Sequence, residues 1–450
     1  MRRRKRFSRK PAAAFSSFAR IARKSVSSRG YFMNGRVSQK VSEESGPMIS
    51  ASIDPDNVSI ADLDRFGHAI FKEWRPKRPF LRRQDGVYLV LRADDVLGLS
   101  SDPRTRQIET ELMLNRGVNE GAVFDFVRYS MLFSNKETHS RRRSPFTRTF
   151  AFRMIENLRP QIRQLTEILF RDLKELGSFN FVGEYASKLP AVTIASLLGL
   201  PPSDIPYFTQ LVYRVARCLS PSWRDADFPD IEKSAVEFKN YVQAVIDDRR
   251  TDPRDDFLSS YINATREAED LSPVEGLTQL MLIILAGTDT TKTGLTALTG
   301  QLLQHRQAWD ALLNDGTLVA AAVEEGLRFE PPVGSYPRST LADIDLDGFI
   351  LPKNSLLALC TMSALRDEKH YVHPQLFDIH RKQMRWHMVF GTGEHRCLGE
   401  ALARLELQEG LATVLRHAPN LSIEGEWQAV QGHGGVRRIA EMRVGFNREN

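Results

Sequence analysis

Apolar side chains along this chain recur mainly three and four positions apart, the spacing of one face of an α-helix. That pattern predicts helices over residues 60–73, 156–176, 186–198 and 231–250, the third of them closed by Gly199, Pro201 and Pro202. A more polar helix is predicted to open at Glu137 and continue to Phe150. Leu398, Ala401, Leu402 and Leu405 fall at i, i+3, i+4 and i+7, so a further helix begins just after Cys397. The clearest start signal is Ser272-Pro273-Val274-Glu275, a capping box with proline at the first helical position. The helix it opens is predicted to run from Pro273 to about Leu303, longer than most globular helices. It is apolar on nearly all sides over 280–285, which places it in the middle of the folded body. Strand-like stretches are few and short: 87–91, 349–351 and 356–359. Residues 110–134, with Phe124, Phe126, Met131, Leu132 and Phe133, have no clean period, and no repeat of fixed length argues for a solenoid. The chain therefore reads as mainly α with a minor β-sheet region.

With 450 residues, 42% of them hydrophobic, the chain can bury a large core. No run approaches the ~18 apolar residues of a membrane span, so a soluble protein is expected. Cys218, Cys360 and Cys397 are odd in number and widely spaced, which suggests neither a disulfide framework nor a zinc site and fits a reducing compartment. The net charge of +6 hides an asymmetry: residues 1–40 hold thirteen Lys and Arg and no acid, leaving −7 on the other 410 residues. Such a leader is too polar to fold by burial, so residues 1–50 are expected to be a disordered extension preceding a folded domain over 51–450. An organelle presequence or a tether to an anionic surface has the same composition, and the expected location is the cytoplasm, or an organelle matrix if the leader is a presequence. No aromatic-interleaved basic groove points to nucleic acid.

The most distinctive stretch is Phe390-Gly391-Thr392-Gly393-Glu394-His395-Arg396-Cys397-Leu398-Gly399. Cys397 lies at a helix N-terminus, where unpaired N–H groups favour a thiolate, suited to a reactive nucleophile or a metal ligand. Gly391, Gly393 and Gly399 allow tight turns and the close approach of a flat body. A buried structural cysteine is the commoner role of a lone Cys, but this combination at fixed spacing is rare by residue frequency. The stretch resembles the haem-binding loop of the cytochrome P-450 family, the haem-thiolate monooxygenases, at every defining position. The resemblance implies that fold, one large helical domain with a minor β-sheet region, and haem b as cofactor. It makes Cys397 the axial ligand of the haem iron, an electron-rich sulfur that favours O–O cleavage, and gives His395 a hydrogen bond to a haem propionate.

Four other motifs follow in the family's order. Within the long helix, Ala286-Gly287-Thr288-Asp289-Thr290-Thr291 is a poor helix interior, and such local conflicts tend to mark function. In the family the helix bulges here; by resemblance Gly287 gives space, Thr290 donates a hydrogen bond to dioxygen and Asp289 relays protons. His139 and Arg143, four residues apart on one helix face, correspond to propionate ligands, as does Arg338 in Tyr336-Pro337-Arg338. Arg141 and Arg142 would then point elsewhere, toward a proximal surface where an electron donor docks. Glu325-Gly326-Leu327-Arg328, ahead of Pro331-Pro332, together with Arg381 corresponds to the family's buried ion triad. A second E-x-x-R, Glu156 to Arg159, reads as an ordinary surface pair. Leu365 stands where family members often have asparagine, a departure bearing on local loop geometry. The segment 110–134 corresponds to the cap of the substrate pocket, and Tyr207, Phe208, Leu211 and Val212 to the start of the lid helices.

The activity implied is hydroxylation of an apolar small molecule with O₂ and electrons from a separate ferredoxin or flavodoxin and its reductase. A peroxide-using or rearranging haem-thiolate enzyme, or a non-catalytic haem sensor, would share the cysteine loop. Asp289-Thr290 favours the oxygen-dependent reading over the peroxide-using one. Substrate identity is not written in the chain.

Overall fold

The computed structural model describes residues 53–147, 155–220, 223–268, 270–382, 388–427 and 430–446. The basic leader and the expected last turn of the polar helix, up to Phe150, lie outside them. The capping box works as the sequence predicts: the Ser272 hydroxyl accepts the Glu275 N–H while the Glu275 carboxylate accepts the Ser272 N–H. From it a 32-residue central helix, Pro273–Gln304, runs through the body, and every residue from Glu275 to Leu285 is buried. Against it pack helices Lys188–Leu198, Ile205–Val215, Phe228–Thr251, Val319–Phe329 and Glu400–His417, their apolar faces merging into one large core. The other predicted helices are present as Ile60–Trp74, Lys136–Thr147 and Arg159–Arg171. The aperiodic segment contains a short helix, Ala122–Tyr129, with Val123, Phe126 and Val127 buried. Among the described residues no helix is long and apolar enough to cross a membrane.

The strands are short. They are β1 Phe80–Arg82, β2 Tyr88–Val90, β3 Thr105–Arg106, β4 Ser178–Asn180, β5 Tyr336–Thr340, β6 Ile344–Leu346, β7 Phe349–Leu351, β8 Leu356–Leu359, β9 Leu421–Ile423 and β10 Arg443–Phe446. Five make one sheet in the order β1-β2-β8-β5-β3, with β2 parallel to β8 and the other pairs antiparallel. The period of two decides what each face covers. Leu81, Leu89 and Ala358 pack with Leu63 and Phe71 of helix Ile60–Trp74, while Phe80, Val90, Leu357 and Leu359 pack on the opposite side with Val96 and Leu365. Both faces are covered at β2 and β8, which is why these two strands read as nearly continuous apolar runs. Among the described residues β6 pairs only with β7, and β4, β10 and β9 form a third, three-stranded sheet.

Charged side chains tie sequence-distant segments together inside this frame. Glu325 accepts both Nε and Nη2 of Arg328 at 2.7 Å, Nε of Arg381 at 3.1 Å and the N–H of Asp378 at 2.8 Å. Arg328 also donates to the carbonyls of Leu365, Pro374 and Leu376, and Arg381 to those of Val372, His373 and Leu376. The expected triad is thus assembled, and it pins the 365–381 segment. A second buried cluster has no counterpart in the sequence reading. Glu330 pairs with Arg437 at 2.6 Å, Arg366 at 3.0 Å and His68 at 3.1 Å. Arg366 further donates to the Phe329 carbonyl, so the residue after the atypical Leu365 is an anchor as well as part of a loop. The other E-x-x-R is also more than a surface pair: Arg159 reaches Glu409 at 2.9 Å, and Arg163 reaches it at 2.8 Å, fastening helix Arg159–Arg171 to the C-terminal helix.

Glu325 and Arg328 are 3% and 0% exposed. Glu325→Ala leaves Arg328 as an uncompensated buried charge and is expected to destabilise the fold by about 3–5 kcal/mol. A urea midpoint equal to that of the unsubstituted protein would contradict this.

Candidate active site

The Cys397 loop is built by backbone geometry. Gly391 and Gly393 adopt φ of +71° and +59°, which glycine takes without strain, and the Cys397 N–H donates to the Phe390 carbonyl at 2.8 Å. The loop leads through Gly399, the N-cap residue, into helix Glu400–His417. It borders a cavity of about 450 Å³, which is also lined by Ala286, Gly287, Thr290 and Thr291 of the central helix and by His139, Arg143 and Arg338. Cys397 is an exposed residue, and as one of the cavity-lining residues it presents that surface to the enclosed space. Although its surface is open to the cavity, the protein around it desolvates the sulfur and raises its thiol pKa, against the pull of the Gly399 N–H and of Arg143 and Arg404, with Glu400 adding to the rise. The Gly399 N–H and the two arginines favour the thiolate while desolvation opposes it, and a cation at the sulfur would add to the former. Cys218 and Cys360 are free and buried, with pKa values pushed by burial to about 12.

Beside the loop, basic groups converge without a matching anion. The His139 and His395 rings lie 4.1 Å apart, and His139 Nδ1 and His395 Nε2 are buried with no hydrogen-bond partner. Glu394 is 4.0 and 3.9 Å from them, beyond hydrogen-bonding reach. Burial, then the Arg143 charge, lowers the His139 pKa to about 4; burial, then His139, Arg338 and Arg143, lowers that of His395 to about 3. Arg143 donates to the Arg396 carbonyl at 2.7 Å, and Arg338 to Thr105 Oγ1 at 2.9 Å. Guanidinium groups and orphaned ring nitrogens gathered in a cavity make a receptor for carboxylate oxygens.

On the central helix the signature residues separate. Thr290 lines the cavity, whereas Asp289 is buried outside its lining and pairs with Lys292 at 2.5 Å. Lys292 in turn sits 3.9 Å above the Tyr213 ring. The helix remains α-helical throughout rather than interrupted by the expected bulge, and the threonine hydroxyls donate to carbonyls one turn back, Thr288 to Ile284 at 2.6 Å and Thr290 to Ala286 at 2.9 Å. The space at Gly287 is already used, since a Cβ there would meet Ile194 Cδ1 at 2.5 Å. Arg141 and Arg142 both bond to Glu275.

A match to the Cytochrome P450 family model spans residues 207–418. The plant-inducible cytochrome P450-pinF1 of Rhizobium radiobacter is 63% identical over 395 residues, 88% of this chain and 94% of its own length. The chain belongs to the cytochrome P450 family. It is a P450 monooxygenase, and the family's cofactor is haem. A steroid C26-monooxygenase of Mycobacterium tuberculosis is 30% identical over 82% of this chain and 91% of its own length. The crystal structure of myxobacterial cytochrome P450 CYP267B1 in complex with myristic acid superposes with a TM-score of 0.79 at 30% identity, covering 86% of this chain and 98% of the other. The orphaned nitrogens of His139 and His395, with Arg143 and Arg338, fit a group that carries two carboxylates, and a sulfur facing the same cavity fits its iron.

One residue of this P450 escaped sequence reasoning. Glu406 lines the cavity from the C-terminal helix, is 1% exposed, and its Oε1 has no partner. Burial, opposed only by a hydrogen bond with Thr193, raises its pKa to about 8. Its position four residues after Leu402, on the apolar stripe, was the available signal. A carboxyl group whose folded pKa is raised stabilises the fold below the unfolded value near 4.5 and loses that contribution as pH rises toward 8. Glu406→Gln is expected to flatten the decline of stability between pH 4.5 and 8, seen as thermal midpoints that change less across that range; parallel profiles would contradict it.

Proposed function

We propose that this P450, through a catalytic domain spanning residues 51–450, hydroxylates an apolar small molecule using O₂. The electrons come from a separate ferredoxin or flavodoxin with its reductase, and the cofactor is haem b. The observation that carries the reading is a cavity where Cys397, the carboxylate receptor and Thr290 share one wall system with apolar side chains such as Leu112, Met113, Val127, Met131 and Ile283. When bound, the iron porphyrin supplies the redox chemistry of oxygen activation. Cys397 Sγ would bind the iron, and His139, Arg143, Arg338 and His395, which line the same cavity, would hold the two carboxylates. The apolar wall excludes water and orients the substrate by shape.

Thr290 is the protein's hydroxyl at the reaction chamber. Its Oγ1 now donates to Ala286, so presenting a proton to the cavity requires that hydrogen bond to turn inward. Asp289, its neighbour in sequence, supplies protons from behind the wall, its charge offset by Lys292. The bacterial relatives favour the cytoplasm over an organelle matrix.

Two measurements test the proposal. Haem-loaded protein, reduced under carbon monoxide, is expected to give the red-shifted Soret band of thiolate ligation, and Cys397→His to lose it; an unshifted band in the unsubstituted protein sinks the ligand assignment. Thr290→Ala is expected to retain haem but divert reducing equivalents to hydrogen peroxide, lowering product per NAD(P)H consumed, by an effect on the order of the 10²-fold loss typical of a proton-transfer group. Full coupling in that variant removes Thr290 from the role.

A further inference from the structure

The polar helix Lys136–Thr147 delivers His139 and Arg143 to the cavity, yet it has little apolar surface of its own: its buried residues are His139, Arg142, Pro145 and Phe146. Phe146 stacks on Tyr261 with ring centroids 4.5 Å apart, and two of the helix's arginines are bound by one carboxylate. Glu275, at the third position of the central helix, accepts Arg141 Nη1 at 2.7 Å, Arg141 Nη2 at 2.6 Å and Arg142 Nε at 2.9 Å. It also accepts the Ser272 N–H at 3.0 Å and the Ser272 hydroxyl at 2.8 Å. Both of its oxygens are saturated, and the residue is 6% exposed. Burial alone would push its pKa up, but the hydrogen bonds from Arg141, Ser272 and Arg142 hold it at about 2.

The neighbouring bonds extend the same grip. Arg142 Nη1 donates to the carbonyls of Arg128 and Ser130 at 3.1 and 3.2 Å. One turn along the central helix, Gln279 accepts the Met131 N–H at 2.6 Å and donates to the Tyr129 carbonyl at 2.7 Å. The first two turns of the central helix thus register both the 128–131 segment and the 141–142 step of the polar helix. A guanidinium pair bound to one saturated carboxylate resists sliding and rotation, because either would leave buried charge unpaired. Arg142 lies one helical turn from His139, and Arg143 follows it directly, so any slip would move both groups.

We propose that Glu275 is a positioning residue for the cofactor: through Arg141 and Arg142 it sets where His139 and Arg143 meet the haem carboxylates, and so governs how firmly haem is held. The inference rests on the haem reading above and adds to it a residue remote from the cavity lining. Partners that orient cofactor-binding groups typically change cofactor affinity by about 10–100-fold when removed.

The test is the rate at which the haem-loaded enzyme gives up haem to excess apomyoglobin, measured beside the thermal midpoint of each haem-free protein. Glu275→Gln replaces an acceptor oxygen by an amide that faces guanidinium donors, and it is expected to speed haem loss by about tenfold. Arg141→Ala, at a half-buried residue, leaves Glu275 bonded to Arg142 and Ser272; it is expected to speed haem loss in the same direction by more than any fall in its thermal midpoint accounts for, and it decides the matter if Glu275→Gln does not fold. Ser272→Ala removes only the helix-capping hydroxyl and leaves both arginines on Glu275; its midpoint should fall while haem loss stays within about twofold. Unchanged haem loss in Glu275→Gln and Arg141→Ala, or loss that merely tracks the midpoint across all three variants, overturns the proposal. An unsubstituted protein that neither carries nor takes up haem overturns the cofactor reading beneath it, a different and separable failure.

Discussion

A charge removed from water persists only if something answers it, and this P450 uses that requirement to fasten its fold. Glu325, Glu330 and Glu275 each hold two guanidinium groups, Arg328 with Arg381, Arg366 with Arg437 and Arg141 with Arg142, and each set joins segments far apart in sequence. Hydrophobic contact brings helices together without fixing their register, whereas a fork of N–H donors on two carboxylate oxygens does. The surfaces that meet around the cavity are therefore held by directional bonds at their margins and by apolar packing in between.

Against that background the cavity stands out for what it leaves open. Within it His139 Nδ1 and His395 Nε2 end on nothing, and Arg143 and Arg338 bond a backbone carbonyl and a hydroxyl. The same low-dielectric surroundings that strengthen the satisfied clusters make these unanswered groups a demand for an anion. Desolvation also raises the pKa of the Cys397 thiol, so a thiolate at this place calls for a cation beside it.

How much of this could be read in the sequence follows from how local each feature is. The Ser272 capping box, the Gly199 stop and the glycine-rich loop at Cys397 are written in a few adjacent residues and take the shapes those residues dictate. The Glu325–Arg328–Arg381 group was legible only through resemblance, since Arg381 joins it from fifty-six positions away. The link between Glu275 and the arginine run was invisible although both ends drew notice, one as a helix cap and one as a charge cluster, because nothing in either stretch says that they meet. Glu330 with Arg366 and Arg437, and the neutral-leaning Glu406, escaped for the same reason. The Cys397 pKa shows a different limit: a helix terminus argues one way and burial the other, and only the enclosing structure says which is larger.

The fit of Ile194 against Gly287 bears on the shape of the chamber. The isoleucine occupies the volume that a methyl at 287 would claim, and both residues border the reaction chamber. Chamber outline and interhelical spacing are therefore a single quantity at this point. Alanine at 287 would push the end of the Ile194 side chain aside, so the two helices shape this part of the chamber together.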